Sequence, residues 1–69
     1  MNENWILLNT YVNRDLAAIS QGYLEEQGIL TVIINKQDSM YQSFGQFELY
    51  CHLNQAHDAL NLLENLNNE

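Results

Sequence analysis

The segment Ile29-Leu30-Thr31-Val32-Ile33-Ile34 most narrows what this chain can become. It is too short for an independent helix and dense in β-branched side chains, which are stiff and pack well on a pleated surface, so it predicts a strand over Ile29–Ile34. A strand must pair its backbone groups with something, and the flanking sequence supplies partners. Trp5–Val12 is a second short apolar run, aromatic and branched, closed by Asn13. Between the two, Arg14–Gln27 carries Leu16, Ile19, Tyr23 and Leu24 at helical spacing, with Arg14, Asp15, Gln21, Gly22, Glu25 and Glu26 on the opposite arc. Asn13 stands where a helix takes its N-cap. Gly28 stands where a helix ends in a left-handed residue, with Ile29 placed for the apolar contact that accompanies such an end.

Beyond Ile34, Asn35–Gly45 loses periodicity and collects turn formers, so it reads as a loop longer than a tight hairpin needs. Gln46–Leu53 alternates, with Phe47, Leu49, Cys51 and Leu53 on one side and Glu48, Tyr50 and His52 on the other, and predicts a third strand. Asn54 repeats the N-cap pattern before a second helix with the stripe Ala56, Ala59, Leu60, Leu63 and Leu66. The order is βαββα. A strand-helix-strand crossover is right-handed and parallel and leaves room for one strand between, a slot that the third strand fills antiparallel to both. The expected fold is α+β, a ferredoxin-like βαββα unit spanning residues 1–69 as one domain. Its three-stranded sheet has order 1-3-2 and both helices on one face.

Size and charge bound the function. Sixty-nine residues make one small domain with a thin core, poorly suited to a large catalytic cleft. Two Lys and Arg against nine Asp and Glu give −7, which repels phosphate backbones and anionic headgroups, so no nucleic-acid or membrane partner is expected. Cys51 is the single cysteine, which fits a reducing compartment, and the N-terminal residues lack the basic start and apolar stretch of a targeting segment, so the expected location is cytoplasmic.

Strand one points Trp5 and Leu7 one way and Ile6 and Leu8 the other, yet helices can cover only one face. The uncovered face, beside edges with little Lys or Pro protection, predicts a homodimer formed by face packing or by edge pairing, with Trp5, Leu7, Ile33, Tyr50 and His52 as the docking residues of the face.

The pattern Tyr23-Leu24-Glu25-Glu26-Gln27-Gly28-Ile29, then Asn35-Lys36-Gln37-Asp38-Ser39, then Phe44-Gly45-Gln46-Phe47-Glu48-Leu49-Tyr50, resembles the prokaryotic signal-transducing protein family across nearly the whole chain. Asn54 and Ala59 match the polar cap and the alanine of that family's second helix. The resemblance implies a small bacterial, PII-like protein of ferredoxin-like fold whose biochemical activity is unknown. The zinc-binding ribbon of some relatives does not carry over to a chain with one cysteine.

Catalytic constellations are missing from the residues. Cys51 and His52 are strand neighbours aimed at opposite faces and cannot close on one metal with His57. Ser39, Ser43 and Cys51 have no base and orienting group in a triad pattern, and Gly22, Gly28 and Gly45 are too scattered to cradle a phosphate. No enzyme activity, metal or cofactor is expected. The loop holds the candidate ligand or partner residues Asn35, Lys36, Asp38, Ser39, Tyr41 and Phe44, and the resemblance to PII proteins implies Tyr41 as the counterpart, by position, of the tyrosine on their regulatory loop. Two functions follow as expectations. One is a non-enzymatic signal-transducing or protein-interaction module acting as a homodimer. The other is a small-molecule-sensing regulatory domain resembling PII or ACT domains, its ligand between subunits near Asn35, Asp38 and Ser39.

Overall fold

Phe47–His52, strand β3, is the centre of the architecture, because it pairs antiparallel with both other strands. These are β1 (Trp5–Tyr11) and β2 (Thr31–Asn35), in the order β1-β3-β2. The computed structural model describes residues 4–36 and 46–67. Helix α1 (Arg14–Glu26) joins β1 to β2. A 3-10 turn at Leu53–Gln55 leads from β3 into helix α2 (Ala56–Asn67). The fold is therefore α+β with a three-stranded antiparallel sheet and two helices, as the residue patterns predict.

Local chemistry sets the ends of α1. The Asn13 side chain accepts a hydrogen bond from the Leu16 backbone N–H at 2.9 Å, and Asp15 sits favourably in the first turn. At the other end Gly28 takes φ +86°, a left-handed value that only glycine adopts without strain. The Gly28 N–H then reaches the Glu25 carbonyl and the Ile29 N–H reaches the Leu24 carbonyl, both at 3.0 Å, and Ile29 packs with Leu24 in the core.

The inner face of β3, Phe47, Leu49 and Cys51, is buried against Leu24, Ile29, Ala56, Ala59 and Leu63, so both helices lie on one side of the sheet. Leu24 and Leu49 are fully buried, each stabilising the fold by about 1.5–3 kcal/mol. The Thr31 hydroxyl is buried without a hydrogen-bond partner among the described residues, a cost set against that gain.

Four details depart from the sequence pattern. Strand β2 begins at Thr31, since Ile29 is taken by the helix terminus and Leu30 is exposed. Strand β3 stops at His52, so Leu53 leaves the sheet and is exposed instead of continuing the inner face. The cap before α2 is also different: the His52 ring, not Asn54, receives the first free N–H of the 3-10 turn. Helix α1, finally, is rotated. It buries Ala17, Ser20 and Leu24, leaving Leu16 46% and Ile19 61% exposed. Small side chains at 17 and 20 let the helix axis come close to the sheet, and the larger residues then stand on its outer shoulder.

In strand β1, Trp5, Ile6 and Leu7 stand opposite His52, Cys51 and Tyr50, but Asn9, Thr10 and Tyr11 stand opposite Leu49, Glu48 and Phe47. Leu8 is the extra residue of a β-bulge. Strict alternation would send Tyr11 to the side of Trp5 and Leu7. The bulge reverses the parity, so Ile6, Leu8 and Tyr11 all pack on the core.

The rotation of α1 sets two apolar residues apart. Ile19→Ser should move stability by no more than about 0.5 kcal/mol, as expected for an exposed site, while Leu24→Ala should cost about 2–5 kcal/mol. Urea unfolding midpoints of the two variants check this, and equal losses would contradict the burial described.

Candidate functional site

The register with β3 defines the face turned away from the helices. Trp5, Leu7 and Thr10 from β1, Glu48, Tyr50 and His52 from β3, and Val32 and Ile34 from β2 share it. Four of the five expected docking residues, Trp5, Leu7, Tyr50 and His52, are therefore brought together. Ile33 is not: it stands opposite Leu49 and packs against the core, so the open face takes its neighbours Val32 and Ile34. A one-residue difference in parity decides the matter, because successive side chains on a strand alternate between faces.

Two polar pairings punctuate this face. At one end the Trp5 and His52 rings meet edge to face, with centroids 5.9 Å apart and planes at 70°. His52 Nδ1 lies 3.0 Å from Asn54 Oδ1 and 3.4 Å from the Asn54 backbone nitrogen, so the ring is tied to the turn that starts α2. At the other end the Tyr50 hydroxyl donates to Glu48 Oε1 at 2.8 Å, and Lys36 Nζ lies 3.9 Å from the same oxygen. The hydrogen bond to Glu48 holds the Tyr50 phenol above its usual pKa, helped by desolvation and by the carboxylate charge. The exposed Lys36–Glu48 pair contributes little to stability, but it neutralises the one acid among the described residues that lies on the sheet. The other described acids, Asp15, Glu25, Glu26, Asp58 and Glu64, all ride on the helices.

Of the loop candidates, Asn35 ends β2 and is exposed, and Lys36 follows it, its backbone N–H bonded to the Gln46 carbonyl at 2.7 Å. Asp38, Ser39, Tyr41 and Phe44 lie outside the described residues. Cys51 points into the core, where burial pushes its thiol pKa up and its Sγ–H meets the His52 carbonyl at 3.3 Å. A protonated, enclosed thiol is a poor nucleophile. Among the described residues no three His, Cys, Asp or Glu side chains gather as a metal site, and no helix is long and apolar enough to cross a membrane. Thr10, Val32, Ile34 and Glu48 enlarge the face beyond the expected set. The alternation of β3 already signals Glu48, whereas Val32 and Ile34 require the pairing of β2.

Compared with protein-family models, with curated proteins and with solved structures, the chain matches none of them. The resemblance to the prokaryotic signal-transducing family rests on its motifs alone.

Two measurements probe this chemistry. The folded state favours the neutral Tyr50 phenol, so the contribution of this contact is complete below the ordinary value near 10 and is lost as pH rises through the higher folded value. Ultraviolet titration of the phenolate, with Tyr50→Phe subtracted to isolate this ring, should show its midpoint fall in Glu48→Gln; an unchanged midpoint would remove Glu48 as the cause. Cys51 should resist a water-soluble disulfide reagent in the native protein and react promptly in urea. Native reaction at the rate of an exposed thiol would contradict its burial.

Proposed function

We propose that this chain is a non-enzymatic, cytoplasmic protein-contact module of ferredoxin-like topology, a member of the prokaryotic signal-transducing family, acting as a homodimer joined through its open sheet face. The observation that carries the reading is the segregation of charge. A protein of net charge −7 resists self-association, yet its helical layer holds all the described acids except Glu48, whose charge is offset by Lys36. Two copies can therefore meet sheet to sheet with the like charges turned outward. Trp5, Leu7, Val32, Ile34 and Tyr50 supply the apolar area, and their placement on one face marks it for contact.

Edge pairing is the less favourable route. Strand β1 is bent by its bulge, and β2 is only five residues long, two devices that protect sheet edges. The face itself is small. Three strands about 4.8 Å apart, with about 3.3 Å per residue, project roughly 250 Å² per copy. That falls short of the roughly 800 Å² per partner of a standard stable interface, even after allowance for the relief of the side chains. The expected dimer is therefore weak and concentration-dependent.

Sedimentation equilibrium from micromolar to millimolar protein should show the mass rising towards that of a dimer. Leu7→Lys, at an exposed position that does not contribute to the core, should hold the chain as a folded monomer over the same range. Wild-type protein that stays monomeric throughout would overturn the proposal.

A further inference from the structure

The chain contains two cationic Lys or Arg residues, and the structure uses them differently. Lys36 is paired with Glu48. Arg14 has no carboxylate partner among the described residues, and its guanidinium carbon lies over the Phe47 ring at 5.8 Å from the centroid. This cation opens helix α1, where the helix dipole disfavours positive charge, so helix stability does not account for its presence. Arg14 also lines a cleft of about 320 Å³ among the described residues of α1, β2 and β3, so the ring it covers and the cleft share one guanidinium. Ala18, Ile33 and Phe47 give the cleft apolar walls, and Gln21 and Asn35 bring amide groups to it. The Gln21 amide is itself positioned, its Nε2 lying 3.4 Å from the Thr31 carbonyl.

We propose that this cleft binds a small monocarboxylate with an apolar body, the carboxylate pairing with Arg14 and the body lying against Ala18, Ile33 and Phe47. The size is at the lower end of small-molecule sites, and one guanidinium beside an apolar surface matches one carboxylate on an apolar frame. Multiply charged anions such as phosphate esters are selected against, because a single cation cannot offset them in a protein carrying −7. Ile33 and Phe47 belong to the helix side of the sheet, so the cleft is separate from the open face, and neither site needs the other.

Phenylacetate is a suitable probe, with phenylacetamide as its neutral isostere and inorganic phosphate as a plain anion. In ¹H–¹⁵N correlation spectra of the whole chain, phenylacetate should shift the amides of Ala18, Ile33 and Phe47 saturably. Phenylacetamide, lacking the charge-assisted pair, should bind about tenfold or more weakly. Arg14→Gln should remove that advantage while leaving phenylacetamide binding unchanged, and Arg14→Lys should restore part of it. The comparison of the two probes on the wild-type protein stands even if a variant folds poorly. Three results would each overturn the proposal: no saturable shift at these amides, equal affinity for the two phenyl probes, or phosphate binding as tightly as phenylacetate.

Discussion

Everything in this protein hangs on the pairing of β3 with two strands at once. β1 and β2 do not touch each other in the sheet; each is held by hydrogen bonds to β3, and β3 also provides the buried floor on which both helices rest. The strand that completes the sheet comes third in sequence and must enter between two elements separated by a whole helix. Its pairings with β1 join residues 36 to 47 positions apart, so a large share of the fold's stabilisation is non-local and forms only after the chain has closed on itself. Phe47, Leu49 and Cys51 are buried because that central position gives them neighbours on every side.

The bulge at Leu8 is the second device on which the architecture depends. By adding one residue to β1 it lets Ile6, Leu8 and Tyr11 all reach the core, so one strand contributes three inward side chains where simple alternation offers a different set. The same bend makes β1 a poor template for edge pairing, which directs any association towards the face. Packing and negative selection against edge contacts thus share one irregularity.

Charge is distributed across the layers in a way that separates two surfaces. The helices carry the described acids other than Glu48 towards solvent, while the sheet's outer face is largely apolar, its one described acid offset by Lys36. At the β2 side of α1, Arg14 stands over Phe47 with no carboxylate among the described residues to hold it. The two cations of the chain thereby take opposite roles: one cancels an acid on the open face, and the other leaves a local positive charge beside an apolar cleft.

Element order, the strand-like character of the three apolar runs, the Asn13 cap and the Gly28 terminus were legible in the residues, because each depends on interactions within a few positions along the chain. So was the two-sidedness of β3, whose apolar and polar residues alternate cleanly. Three facts were not legible. Val32 and Ile34, and not Ile33, face outwards; Ala17 and Ser20, and not Leu16 and Ile19, meet the sheet; and Arg14 stands over Phe47. In a run such as Thr31-Val32-Ile33-Ile34 both faces are apolar enough to be buried, so hydrophobicity cannot choose between them. In α1 a broad apolar arc can pack through its large residues or its small ones. Only the register of the paired strands and the close approach of the helix break these ties, since they are set by neighbours distant in sequence.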